Sequence, residues 1–224
     1  MDNLFKNLGK DYSLKRRVYE NIKLMIINGN LKLKQRLYEE ELSKAMNVSR
    51  APIREALDSL KKEGFVTIIP RKGAVVSEIN IQDVKEIFEI RETLETLAVS
   101  KSFKNISTKE LENLESELNR LKNSPEERKN KNKFLLMDRK FHRLIRKNFC
   151  NSRINKILDN LQEQIQWFSS LAYDKISTIQ SIDEHLAVID AIKKNNQQLI
   201  KEKLLQHLER AKNSLLNGIK SLDK

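Results

Sequence analysis

The chain of 224 residues has only three histidines, His142, His185 and His207, all in its C-terminal part. Asp138 stands one helical turn before His142, so on a helix the two side chains share a face. One carboxylate oxygen and three imidazole nitrogens gathered in a helical core would bind a single divalent cation. Zinc, nickel, cobalt and manganese all suit that donor set, zinc and nickel foremost. Spacing fixes only the Asp138–His142 pair, and three separate hydrogen-bonded histidines would fit the same sequence. A second group suits a different chemistry. Arg50 and Arg54 share another helix face, and Arg71-Lys72-Gly73 follow them. Guanidinium forks on one face can meet base edges, and a basic turn can meet phosphates.

The arginines need a helix, and Leu37 to Ser77 describes one. A short helix with apolar Leu42, Ala45 and Met46 runs to a turn at Asn47-Val48. A second helix opens at Ser49-Arg50. There the Ser49 hydroxyl can accept from an unpaired backbone N–H, and Pro52 sits where no donor is needed. Ile53, Ala56, Leu57 and Leu60 recur at helical spacing, which leaves Arg50 and Arg54 off the inward stripe. Gly64 ends this helix. Phe65 to Ile69 and Ala74 to Ser77 read as two short strands joined by Pro70-Arg71-Lys72-Gly73, a wing with a basic tip. Upstream, Ser13 to Asn28 reads as an amphipathic helix with Val18, Ile22, Met25 and Ile26 on one side. Its basic beginning, Lys15-Arg16-Arg17, suits a DNA backbone or plain solvent equally. Residues 1–77 are therefore expected to form a winged helix-turn-helix.

The histidines need a bundle. After the wing, apolar residues at three- and four-residue spacing mark helices at 81–104, 108–123, 131–149, 151–173, 178–195 and 197–219. Polar breaks such as Asn123-Ser124-Pro125 separate them. This predicts a mainly α chain whose residues 78–224 form an antiparallel bundle of six helices. Formal net charge is +12, which favours a polyanionic partner. Residues 1–77 carry 16 Lys and Arg against 9 Asp and Glu, and the remainder carries 27 against 22, so the charge is denser in the N-terminal third. A single cysteine, Cys150, excludes an internal disulfide and a cysteine metal cluster. No apolar run is long enough to span a bilayer, and MDNLFKNLGK lacks the apolar core of a signal peptide. A cytoplasmic setting without a membrane partner is expected.

Leu37 to Ser77 resembles the winged helix-turn-helix of the GntR family of bacterial transcription regulators, most specifically through VSRAPIREAL, Val48 to Leu57. The resemblance implies that Ser49, Arg50, Ala51, Arg54 and the wing-tip Gly73 meet operator DNA, with Arg71 and Lys72 beside them. Glu40 stands where some relatives carry a base-contacting arginine, and Ala51 where a hydroxyl residue is common. Residues 81 to about 220 are similar to the helical effector domain, FCD, of the family's FadR-type branch. The matching runs are RETLE, DRKFHRLI, EHLAVIDAI and His207-Leu208. In metal-binding members of that branch the ligands fall at the positions of Asp138, His142, His185 and His207, and all four are present. That set argues against the branch's acyl-CoA-binding type, and six helices resemble its shorter VanR-like variety. Two departures, Cys150 for a usual glycine and Asn195-Asn196 for a Gly-Asp turn, fall at helix ends. A metal held by four side chains leaves positions for a small carboxylate. The resemblance favours Arg91 as a fork for a second oxygen of that acid; an ion pair with Glu95 is the other reading. Trp167, Phe168 and Tyr173 read as core or dimer contacts.

The expected protein is a homodimeric, metabolite-responsive transcription regulator, a repressor, with two winged helices on a palindromic operator. It is not expected to be an enzyme. A metal-dependent enzyme with Glu184 as general base would lack any nucleophile, oxyanion donor or cofactor loop elsewhere in the chain. A nonspecific DNA packager is the remaining reading. It would bind random duplexes as well as a palindrome, whereas a regulator prefers its site by roughly 10³-fold or more.

Overall fold

The computed structural model describes residues 2–221, with side chains for residues 14–174 and 176–221. The expectation that residues 1–10 are too polar for a signal peptide falls outside the described side chains. The chain forms two compact units, Met1–Ile79 and Asn80–Lys224. Among the described residues, no helix is long and apolar enough to cross a membrane.

The first unit runs α1 (Asp2–Ile27), β1 (Arg36–Leu37), α2 (Glu39–Met46), α3 (Arg50–Lys62), β2 (Val66–Ile69) and β3 (Gly73–Val76). Its core is the packing of α1 on α3. Val18, Ile22 and Ile26 of α1 and Ile53, Ala56, Leu57 and Leu60 of α3 are all buried. Each of the valine, isoleucine and leucine side chains stabilises the fold by about 1.5–3 kcal/mol. Asn47 ends α2 in the left-handed region (φ 51), its N–H returning to the carbonyls of Lys44 and Ser43; asparagine tolerates that conformation better than most residues. Gly64 (φ 82) ends the turn after α3 and feeds the chain into β2. The sheet is antiparallel in the order β1-β3-β2, with Val66 opposite Val76, Ile69 opposite Gly73 and Arg36 opposite Val75.

α1 begins at Asp2 rather than at Ser13, and three further details differ from the sequence expectation. Ser49 occupies the N-cap position of α3, but its hydroxyl makes no capping bond. Ala45 faces solvent, so that of the three apolar residues Leu42 and Met46 alone are half-buried, because a helix of 8 residues offers α3 a narrow stripe. The wing has a third strand, β1, whose 2 residues are too short to show any period.

The second unit holds α4 (Ile81–Ser102), α5 (Thr108–Asn123), α6 (Pro125–Lys129), α7 (Lys131–Ile145), α8 (Ser152–Leu171), α9 (Thr178–Lys193) and α10 (Gln197–Lys220). α10 packs against α4 and α9, α5 against α7 and α9, and α8 against α4 and α7. Polar caps set the starts: Asn80 and Asp83 form a reciprocal capping box on α4, and Asn130, Asn151 and Asn196 cap α7, α8 and α10. Leu111, Leu114, Leu118 and Leu121 give α5 a fully buried stripe.

Six long helices are joined by a one-turn helix, α6, in the expected polar break. Ser124 accepts from the Glu127 N–H and Pro125 takes the first helical position, so the polar break carries two helix-start signals. α7 ends at Ile145 rather than at residue 149. Arg146 leaves the helix there, and its Nη2 donates to Asp159 of α8 at 2.7 Å. On α8 the inward stripe is Leu158, Gln162, Ile165 and Gln166, while Ile157 is 46 % exposed. Trp167 and Phe168 lie in the core.

Candidate functional site

Two charged residues interrupt an otherwise apolar stripe on α4. Val84, Phe88, Arg91, Glu95, Val99 and Ser102 all face inward, and Arg91 and Glu95 are each 2 % exposed. Burying such groups is costly unless each finds a partner. Beyond each other, their partners come from two other helices, α7 and α8, and following them leads to the histidines.

His142 on α7, His185 on α9 and His207 on α10 are all buried, and Asp138, one turn before His142, reaches the same place. His207 Nε2 lies 3.2 Å from His185 Nε2 and 3.3 Å from His142 Nε2. Asp138 Oδ1 lies 3.5 Å from His185 Nε2 and 3.7 Å from His142 Nε2. All four ligand atoms fall within 4.8 Å of one another. Ligands about 2.1 Å from one ion sit roughly 3.0 Å apart at right angles and roughly 3.4 Å apart at tetrahedral angles. The four separations of 3.2 to 3.7 Å straddle the tetrahedral value, so the four side chains fit one cation.

The outer nitrogens explain how the rings are aimed. His142 Nδ1 lies 3.0 Å from Glu95 Oε2, and His207 Nδ1 lies 2.9 Å from Glu184 Oε2. A carboxylate accepts only, so each Nδ1 carries a proton, and in a neutral ring Nε2 presents a lone pair inward. With both rings neutral, two lone pairs face one another at 3.3 Å, an arrangement that a proton or a metal cation between them relieves. Phe141 stacks on the His185 ring at 4.0 Å between centroids. His185 Nδ1 has no hydrogen-bond partner among the described residues.

Charge partners close the network. Arg91 donates from Nε to Glu95 Oε1 and from Nη2 to Gln162 Oε1, both at 3.1 Å, and Gln162 Nε2 donates to Asp138 Oδ2 at 2.9 Å. Arg210 donates to Glu184, and its Nη2 donates to Ser181 Oγ at 2.7 Å. Burial drives the Glu95 pKa up, but Arg91 and His142 outweigh it and hold the carboxyl down at about 2. Asp138 is likewise held far below the usual carboxylate range, burial again opposed by His142 and His185. Burial, then neighbouring imidazoles, pushes His185 and His207 well below the ordinary histidine value. His142 moves the other way: burial and Arg91 pull it down, and Glu95 with Asp138 raise it more.

Arg91 was expected to offer its fork to an organic acid, with an ion pair to Glu95 as the other reading. The structure contains that ion pair, buried rather than on the surface, and two edges of the fork are engaged. Arg91 also lines a small cavity of about 40 Å³ with Asp138, His207 and Arg210. Glu95, Gln162, Glu184 and Arg210 were not singled out as partners of the histidines. Glu95 and Arg91 share a stripe at one-turn spacing, and Arg210 lies one turn beyond His207, so a signal existed for two of them. Nothing in the sequence ties Gln162 or Glu184 to a ring on another helix. Glu184 is occupied by His207 and Arg210, which removes the general base of the enzymatic reading. Tyr173 lies apart from the network, its hydroxyl donating to the Arg128 carbonyl at 2.5 Å.

The candidate DNA face belongs to the first unit. Ser49, Arg50, Ala51 and Arg54 are exposed along the start of α3, and Arg71, Lys72 and Gly73 are exposed at the wing tip. Arg71 (φ 64) and Gly73 (φ 81) both adopt left-handed backbone in that turn. A concavity between α3 and the wing is lined by Arg36, Arg54, Lys61, Arg71 and Lys72. Lys15 of the basic α1 segment pairs with Glu55 at 2.8 Å.

A family model described as "Bacterial regulatory proteins, gntR family" matches residues 14–76, and one described as "FCD domain" matches residues 86–210. The HTH-type transcriptional regulator YdhC of Bacillus subtilis (strain 168) is 30% identical over 84% of this chain and 85% of its own length. The HTH-type transcriptional repressor RspR of Escherichia coli (strain K12) is 26% identical over 80% of this chain and 78% of its own. The solved structure of E. coli McbR/YncC shares the fold, with a TM-score of 0.74 at 22% identity over 88% of this chain and 94% of that one.

Proposed function

The chain belongs to the gntR family of bacterial regulatory proteins, in its branch with an FCD domain, and is a transcription regulator; from that premise we propose that it is a homodimeric repressor that senses a small organic acid at a divalent-metal site. Residues 1–77 form its DNA-binding domain and residues 78–224 its sensing and dimerisation domain. The observation that supports the sensing half is the convergence of three imidazole Nε2 atoms, two of them backed by carboxylates at Nδ1.

Asp138, His142, His185 and His207 hold the ion, with zinc or nickel first and manganese or cobalt also suited. When bound, the ion supplies concentrated positive charge and an open position for a carboxylate. Glu95 and Glu184 keep the imidazoles in the ligating tautomer, and Gln162 fixes Asp138. Arg91 and Arg210 border the cavity and place two further positive charges beside an incoming acid. The cavity of about 40 Å³ holds a few waters at most. An acid of several carbons therefore fits only when the helices around it part. That difference between the loaded and empty bundle is what would couple effector to DNA affinity, and reciprocity requires DNA to weaken effector binding by the same factor. Repression agrees with the name of its relative RspR, a transcriptional repressor.

Metal content measured on the purified chain, together with a duplex carrying the promoter beside its gene, tests this reading. Wild type is expected to hold one ion per chain, and His142→Ala to lose it while keeping DNA binding. A full metal complement in His142→Ala would overturn the assignment. A thermal-shift screen of small carboxylic acids, with and without chelator, then identifies the ligand class through binding-linked stabilisation.

A further inference from the structure

We propose that Glu39 and Glu40 are positioning residues for the two recognition arginines, and that they set operator specificity. The inference rests on the regulator reading above. Arg54 Nε donates to Glu39 Oε2 at 2.6 Å, and Arg50 Nη2 donates to Glu40 Oε2 at 2.9 Å. Both contacts cross from α2 to α3. Each carboxylate therefore joins the first turn of one helix to the exposed face of the next.

Helix stability does not account for this arrangement. Glu39, Glu40 and Glu41 all lie in the first turn of α2, where acidic groups favour the helix dipole. Any rotamer would serve that purpose; Glu40 Oε1 pairs with Lys44 of its own helix at 2.9 Å, yet Glu40 Oε2 and Glu39 Oε2 both meet arginines of the next helix. The arginine side chains are 56% and 63% exposed, and ion pairs so accessible contribute little to folding. On a face meant for phosphates, two carboxylates also oppose indiscriminate binding.

Geometry supplies the purpose. A guanidinium has five donors in a rigid plane. Glu39 engages Arg54 through Nε, and Glu40 engages Arg50 through one Nη2 hydrogen. Donors remain on each fork for the paired acceptors on a guanine edge. A fork already held in plane loses less side-chain freedom when it meets that edge. A mispaired base then gains nothing from a reoriented arginine. Glu41 is exposed in the same turn and pairs with no arginine among the described residues, which makes it the internal control.

The test is in vitro selection from a randomised duplex library with the full chain. Wild type and Glu41→Ala are expected to enrich one palindrome. Glu39→Ala and Glu40→Ala are expected to lose about 5-fold or more of their discrimination at one base pair per half-site. Glu39→Gln and Glu40→Gln, which keep an acceptor oxygen, should recover part of that loss. If the two Ala variants enrich the wild-type palindrome with unchanged base preferences, the proposal is overturned. It is overturned equally if Gln and Ala variants change alike, since charge alone would then be acting. Failure of wild type to enrich any sequence would instead sink the regulator reading itself.

Discussion

Glu95 gives the sharpest test of the helical unit, because it is buried as an anion between two cationic or proton-donating groups. It accepts from Arg91 Nε at 3.1 Å and from His142 Nδ1 at 3.0 Å, and it is 2 % exposed. Its pKa of about 2 means that the charge is present throughout the working range. Glu95→Ala leaves the Arg91 guanidinium buried with one partner fewer, and removing one member of a buried pair costs about 3–5 kcal/mol. At about 2–4 °C per kcal/mol for a chain of this size, the melting temperature should fall by about 6–20 °C. Glu95→Gln keeps the shape and one acceptor oxygen, so it should fold. It should nonetheless bind metal about 10- to 100-fold more weakly, since the His142 ring loses its charged support. Thermal unfolding of chelator-treated protein measures the first effect, and calorimetric titration with zinc measures the second. A Glu95→Ala protein melting within about 2 °C of wild type, less than 1 kcal/mol by the same conversion, would refute the energetic argument. A Glu95→Gln protein with unchanged zinc affinity would refute the positioning argument.

Arg54→Ala should weaken binding to a selected palindrome by about 1–3 kcal/mol if the side chain reads a base; an unchanged anisotropy titration removes it from the site. Gly218 lies on α10 where an added Cβ would stand 2.5 Å from the Ala172 Cβ. Gly218→Ala should therefore cost about 1–3 kcal/mol in denaturant unfolding, and wild-type stability would show that the contact relaxes freely. Acid should destabilise the metal-free bundle. His185 and His207 are depressed from their ordinary value of 6.5, so their stabilisation is present above that pH and is lost as pH falls below it. His142 is raised and opposes this, its contribution being fully present below 6.5 and lost as pH rises through its folded value. Two depressed rings against one raised ring predict a melting temperature that drops between about pH 6.5 and 5, and a flat profile in circular dichroism melts would contradict the balance.

The helix pattern and the wing were legible because each depends on local periodicity or on residue type, whereas spacing tied only Asp138 to His142 and the full ligand set rested on the resemblance to the FCD domain. Ile53, Ala56, Leu57 and Leu60 mark one stripe by spacing, and the same spacing places Arg50 and Arg54 outside it. Ser49 shows the limit of local reasoning: its type suits a cap, but its hydroxyl makes no capping bond. Strand β1 was invisible because 2 residues carry no period, and α6 was hidden because Ser124-Pro125 signals a stop and a start alike. Arg91 and Glu95 announced a pair, but not whether it lay in water or in the core. Only packing put α4 against α8 and α10, and so made a surface-type ion pair into the support of a histidine ring. The sequence alone determined which side chains can bind a cation or a phosphate, since that is written in their chemistry and in the turn of a helix. Whether three imidazoles from α7, α9 and α10 meet, and which carboxylate stands behind each, was decided by tertiary structure, because helices distant in sequence have no fixed rotation or distance until their apolar faces pack.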